Sequence, residues 1–150
     1  YHGAREEMPQ GDVVVPLGEA KLVREGRDAT VVAIGAMVRR AQLAAEVLAK
    51  EGVEVEIVDL RCIVPLDKER ILASVAKTGR LVVVSESMKF CGSGAEIAAL
   101  VAEEGFRFLK AAIERVATPN VPIPFARNLE KMVIPDEIAV AAAVRRTMAG

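Results

Sequence analysis

Few side chains in this chain are suited to making or breaking bonds. It holds one histidine, His2, and two cysteines, Cys62 and Cys91. His2 lies in a polar N-terminal stretch, and a lone imidazole forms neither a metal site nor a proton relay without partners. Cys62 and Cys91 have no histidine to draw off a thiol proton, and core or surface thiols are the commoner fate of such residues. Their separation reads as neither a disulfide framework nor a zinc site. What remains is suited to binding. Gly92-Ser93-Gly94 is a glycine-rich turn ahead of a helix, where free backbone N–H groups and the positive end of the helix dipole favour an anion. It is neither the dinucleotide fingerprint nor a phosphate loop ending in Gly-Lys-Ser/Thr, and tight packing of helix on sheet would call for the same glycines. Arg61, Glu86 and Ser87 fall at neighbouring strand ends. Arg61 either supplies a bidentate fork to an organic anion or pairs with Glu86 and simply fixes the loops. The candidate anion site is therefore Arg61, Glu86, Ser87, Gly92, Ser93 and Gly94; no residue is assigned a catalytic or metal-binding role.

The elements that must position these residues centre on Val53 to Glu86, which reads as one βαβ unit. Val53, Val55 and Ile57 alternate with Glu54 and Glu56, and Val58 and Leu60 close an extended run that starts half exposed and ends buried. Pro65 stops it. Asp67 is placed to cap a helix whose inner face is Ile71, Leu72, Val75 and Ala76, with Lys68, Glu69, Arg70 and Lys77 left for solvent. Gly79 ends that helix, and Leu81 to Val84 is an apolar run suited to a central strand covered on both faces. The two strands are expected to be parallel, joined by a right-handed crossover. Upstream, Thr30 to Ile34 reads as a strand ending at Gly35. It is followed by a helix carrying Val38, Ala41, Ala45 and Leu48 and stopped before Gly52. Ala20 to Arg24 reads as a short edge strand. Downstream come a helix with Ile97, Leu100 and Val101 inward, core bulk from Phe106 and Leu109, and a short strand over Ala112 to Ala117. A proline-broken extended stretch through Pro119, Pro122 and Pro124 follows. The last helix opens at Asp136, with Ile138, Ala142 and Val144 to Met148 on its buried side.

Composition narrows the class. The chain has 150 residues, 52% of them hydrophobic and 27% charged, with a net charge of -1. A chain of this length buries roughly 70% of its unfolded surface without metal or disulfide support. Near-neutral charge gives no footprint for nucleic acid or an anionic membrane. No apolar run is long enough to span a bilayer, and the start lacks the pattern of a signal peptide. A reducing cytoplasm is the expected compartment. The start at Tyr1 instead of Met marks the chain as an expected piece of something longer.

Several separated motifs then agree in order. VEIVDLRCIVPLDKERILASVAKTGRLVVVSE, followed by CGSGAEIAALVAEE and TPNVPIPFARNLEKMVIP, closely resembles the C-terminal domain of the beta subunit of thiamine diphosphate-dependent 2-oxo acid dehydrogenases of the pyruvate, branched-chain and acetoin types. More distant resemblance runs to the C-terminal domains of transketolase and deoxyxylulose phosphate synthase. Asp59-Leu60-Arg61, Pro65-Leu66-Asp67 and Thr78-Gly79-Arg80 fit the dehydrogenase subunit better. The resemblance implies a three-layer α/β/α sandwich around a mainly parallel sheet of about five strands, one edge strand being antiparallel. It also implies that residues 1–18 are a linker from a missing pyrimidine-binding domain and that residues 19–150 are the transketolase C-terminal-like domain.

The same resemblance implies a parent enzyme that oxidatively decarboxylates a 2-oxo acid and passes the acyl group to a lipoyl arm. Thiamine diphosphate and magnesium belong, in the family, to domains that this chain lacks. Its Gly11-Asp12 is followed by Val13 and does not continue as the family's Gly-Asp-Gly motif. The chain by itself is expected to bind no cofactor and to be catalytically silent. Its implied work is assembly, with an alpha subunit and a second beta subunit in an alpha2-beta2 heterotetramer. The acyltransferase core is expected to dock near Lys110, Glu114 and Met148. Two other classes stay open: a regulatory module holding an anion or ion at the strand ends, and, least favoured, a free-standing enzyme.

Overall fold

The computed structural model describes residues 10–150. His2 and residues 1–9 of the expected linker lie outside the described residues. Residues 10 to 17 run as exposed coil without strand pairing, Val13 to Val15 included.

The strands are β1 (Lys21–Arg24), β2 (Ala29–Ala33), β3 (Val55–Asp59), β4 (Leu81–Met88) and β5 (Glu114–Thr118). The helices are α1 (Met37–Ala49), α2 (Lys68–Thr78), α3 (Ser93–Glu104), α4 (Arg127–Val133) and α5 (Glu137–Ala149), with a 3-10 turn over Phe106–Phe108. The strands form one sheet in the order β1-β3-β2-β4-β5. Only β1 is antiparallel, Lys21 lying opposite Asp59. β3 and β4 are parallel as expected, yet they do not touch, because β2 lies between them, Val31 opposite both Ile57 and Val82.

Alternation along the strands builds two cores. Val31, Ile57, Val82 and Val84 point to one face, against Met37, Ala41 and Leu48 of α1 and Val140, Ala143 and Val144 of α5. Val32, Val58, Leu60, Leu81 and Val83 point to the other, against Ile71 and Val75 of α2 and Ile97 and Val101 of α3. Helices therefore cover both faces, and the fold is the expected three-layer α/β/α sandwich. The small residues of α1 and α5, Ala41, Ala44, Ala45, Ala141 and Ala143, are all buried and let the two helices approach closely.

Local caps match the reading. One Asp67 carboxylate oxygen accepts from the Arg70 N–H at 3.0 Å, capping α2, and the other accepts from the Ala20 N–H at 2.8 Å, fastening the approach to β1. Gly79 closes α2 at φ 77°, a left-handed conformation that glycine takes without strain.

Several side chains face otherwise than their periodicity indicated. Glu56 is buried at 2% exposure, because β1 and β2 flank β3 on both sides and α2 covers that face. Its carboxylate is met by Lys77 from the last turn of α2. Beside it Thr30 Oγ1 and Thr78 Oγ1 lie 2.8 Å apart, and Ser74 and Thr78 are buried where Ala76 was expected. Phe106 and Ile138 stand in solvent instead of the core, displaced by Phe108 and Val140 respectively. α4 was not anticipated, since the prolines before it mask a seven-residue helix. No helix among the described residues is long and apolar enough to cross a membrane.

Candidate functional site

The six residues of the candidate anion site are divided by the sheet. β4 continues to Met88, so Ser85, Glu86 and Ser87 are strand residues that alternate between faces. Ser85 and Ser87 share a face and a 2.8 Å hydroxyl contact, and they lie under α3. Glu86 points the other way, into a crevice against α1 and α4. Arg61 sits at the end of β3, and β2 keeps it about 10 Å or more from β4 at ordinary strand spacing. Among the described residues no ion pair joins Arg61 to Glu86. Arg61 is exposed at φ 53°, its N–H donating to Asp59 Oδ1 at 3.0 Å.

Ser87, Gly92, Ser93 and Gly94 do come together, and packing accounts for the glycines. A Cβ on Gly92 would lie 2.2 Å from the Met88 carbonyl oxygen and 2.6 Å from Ser87 Oγ. One on Gly94 would lie 3.3 Å from Val83 Cγ1. Gly92 is the N-cap of α3 and provides no side-chain cap, and Ser93 is the first helical residue.

Lys110, Glu114 and Met148 gather at the opposite, amino end of the sheet. The Lys110 stem lies over Gly79, with its N–H donating to the Gly79 carbonyl at 2.8 Å. Glu114 opens β5 and takes a two-pronged bond from Arg146, at 3.1 and 2.8 Å. Met148 is half-buried against the α1/α5 core. The hydrogen bonds from Arg146 hold the Glu114 carboxyl below the ordinary carboxylate range, against a smaller opposing effect of burial. Glu51 is lowered in the same way by Arg145. A depressed folded-state value means that the Glu114 contribution is fully present above the ordinary carboxylate pKa and is lost only as pH falls through the lowered one. We predict that Arg146→Gln returns the Glu114 midpoint upward in a carboxyl NMR titration; an unchanged midpoint would refute the assignment.

The two ends of the sheet differ in chemistry. At the amino end three ion pairs form, Arg145 with Glu51, Arg146 with Glu114, and Arg24 with Glu54, beside exposed charges such as Lys110 and Arg27. At the carboxyl end large apolar side chains are exposed beside Arg61 and Lys89: Ile63 and Val64 after β3, Met88 and Phe90 at and just past the end of β4, then Val121, Ile123 and Phe125 after β5. α4, which buries no side chain fully, extends this surface. Arg127, Glu130 and Lys131 line the crevice, while Leu129 and Met132 stand in solvent, Met132 at 80% exposure. A surface helix ordinarily turns its apolar stripe inward. Sequence reading missed this surface because TPNVPIPF reads as a proline-broken extended stretch and NLEKM is assigned to no element. The available signal was the number of large apolar residues in a stretch without strand periodicity.

The chain matches a family model described as "Transketolase, C-terminal domain" over residues 18–140. It is 49% identical over 149 residues to the beta subunit of acetoin:2,6-dichlorophenolindophenol oxidoreductase of Cupriavidus necator, covering 99% of this chain and 44% of that protein. It is 45% identical over 140 residues to the mitochondrial pyruvate dehydrogenase E1 component subunit beta-2 of Oryza sativa, covering 93% of this chain and 37% of that protein. The chain thus spans less than half the length of these curated relatives. A solved structure described as "Split gene transketolase, inactive beta4 tetramer" superposes with a TM-score of 0.80 at 28% identity, over 96% of this chain and 46% of that one. With sequence and architecture in agreement, the chain belongs to the transketolase C-terminal domain family.

Proposed function

We propose that this chain is the assembly domain of the beta subunit of a thiamine diphosphate-dependent 2-oxo acid dehydrogenase. The parent oxidatively decarboxylates pyruvate or a related 2-oxo acid and transfers the acyl group to lipoyl arms; this domain holds subunits together. The observation that carries the reading is the apolar carboxyl end of the sheet with its outward-facing α4 side chains, a surface of the kind that partners cover. Support for the parent activity comes from the relatives named above, an acetoin oxidoreductase and a pyruvate dehydrogenase beta subunit. We assign residues 1–18 to the linker and residues 19–150 to the domain. The partners in this reading are an alpha subunit and a second beta subunit in an alpha2-beta2 heterotetramer. We place the parent in the cytoplasm, in keeping with two cysteines that stand as free thiols.

The residues present do not fit a magnesium diphosphate site. Among the described residues no three His, Cys, Asp or Glu side chains converge to hold a metal, and the space behind Gly92 is filled by Met88 and Ser87 and that behind Gly94 by Val83. No step of the decarboxylation is assigned to them. The test is a turnover assay. Full-length beta subunit mixed with alpha subunit is expected to decarboxylate a 2-oxo acid with an artificial electron acceptor, and the 150-residue chain to give none. Turnover by the 150-residue chain alone would overturn the reading.

Acyltransferase docking falls, in the same reading, at the amino end around Lys110, Glu114 and Met148. Reversing both charges, Lys110→Glu with Glu114→Lys, is expected to weaken core binding in calorimetry roughly tenfold or more, about 1.4 kcal/mol. Equal binding of wild type and double variant would remove that site.

A further inference from the structure

The crevice that receives Glu86 lies where ligands collect in open parallel sheets. It opens at the carboxyl ends of the adjacent strands β2 and β4, where the connections reverse direction, β2 leading to β3 on one side and β4 to β5 on the other. Its volume is about 570 Å³, within the range of small-molecule sites. Ala36, Met37 and Ile134 give it an apolar floor.

The charges around it are of both signs, and part of them is already committed. Arg40 is held by Glu137 at 2.7 Å, and Asp136 caps α5 by accepting from the Ala139 N–H at 2.8 Å. The rest are not. The side chains of Glu86, Glu130, Arg127 and Lys131 line the crevice without an ion pair or side-chain hydrogen bond among the described residues. Glu86 and Glu130 are half-buried residues, and Arg127 and Lys131 are exposed at the crevice mouth. A simple anion entering here meets two free carboxylates, and a simple cation meets two free basic groups. A molecule that carries an ammonium and a carboxylate on one carbon satisfies both.

We propose that this crevice binds a free aliphatic α-amino acid. The ammonium sits toward Glu86 and Glu130, the carboxylate toward Arg127 and Lys131, and the side chain on the Ala36, Met37 and Ile134 floor. The inference deepens the assembly reading, because the same helix α4 that lines the crevice presents Leu129 and Met132 on its outer side. Occupancy would then bear on how firmly that helix is held for a partner.

The test is calorimetry on the full-length beta subunit, alone and with its alpha subunit, using L-leucine as probe. N-acetyl-L-leucine, which lacks the ammonium, and L-leucinamide, which lacks the carboxylate, serve as the other arms. Saturable binding of one leucine per beta chain is expected, weakened at least tenfold in either analogue and in each of Glu86→Gln and Arg127→Gln. No heat with leucine would overturn the proposal, as would equal binding of an analogue or unchanged binding in both variants. Sedimentation of the same samples keeps the two readings apart. Leucine binding by a beta subunit that fails to join alpha would support this site and sink the assembly reading. Loss of assembly in the variants, with no leucine bound by wild type, would show instead that these charges form the rim of a subunit contact.

Discussion

Aspartate in place of Phe125 is expected to leave this domain folded and to separate the parent subunits. Phe125 is fully exposed, on a segment braced by Pro122 and Pro124, so no packed contact inside the domain is lost when it changes. If a partner covers it, the substitution puts a charge into a desolvated aromatic pocket, and buried aromatic anchors of this kind commonly contribute 2 kcal/mol or more. The dissociation constant of the assembled enzyme should rise about 100-fold, roughly 2.7 kcal/mol, with Met132→Asp acting in the same direction. Sedimentation velocity across a concentration series reads the assembly, and circular dichroism reads the fold. Unchanged association with both substitutions in place would mean that the carboxyl end of the sheet is not the assembly surface. The outcome matters because that end is where an open α/β sheet ordinarily keeps a ligand site. Among residues 19–150 it also carries most of the exposed large apolar side chains.

The second large effect is on stability. Lys77→Ala should destabilise the domain by about 1–3 kcal/mol, because it strands the Glu56 carboxylate in a site with 2% exposure. The lower part of the range for a broken buried pair applies, since Lys77 itself is half exposed and water can follow it inward. At this chain length the loss corresponds to a fall in Tm of roughly 2–10 °C. Glu56→Gln in the Lys77→Ala background should recover part of it, since a neutral amide is less costly to bury than a lone carboxylate. Thermal unfolding of the four species gives the coupling energy directly. Strictly additive losses would show that the two groups act independently and that the contact contributes nothing.

Glu56 also shows where reading the chain succeeds and where it stops. Alternation in VEVEIVDL located β3, and the run LVVV located the buried part of β4. Asp67 and Gly79 marked both ends of α2 for local steric and hydrogen-bonding reasons that do not depend on the remainder of the fold. Yet the same alternation placed Glu56 in solvent. A period-2 pattern reports which residues share a face, not whether that face is covered, and α2 covers this one. Ile138 and Phe106 fail by the same logic in reverse: both are apolar and near helix ends, but Val140 and Phe108 occupy the inward positions.

For the binding residues the division is sharper. Gly92, Ser93 and Gly94 were legible because glycines before a helix are punctuation in one dimension, and they do sit beside Ser87. That Arg61 and Glu86 do not meet was not legible, because it follows from β2 lying between β3 and β4. Strand order is settled by long-range pairing and by how the apolar faces of α1, α2, α3 and α5 share two sides of one sheet.

By itself, then, the order of residues determined the local elements, their caps and the family motifs, all of which depend on short-range sterics, hydrogen bonding and side-chain periodicity. Only the tertiary structure decided which charges are paired, which apolar side chains stand uncovered at one end of the sheet, and that Glu86 shares a crevice with Arg127 and Lys131. Those arrangements depend on contacts between residues dozens of positions apart, which no window along the chain contains.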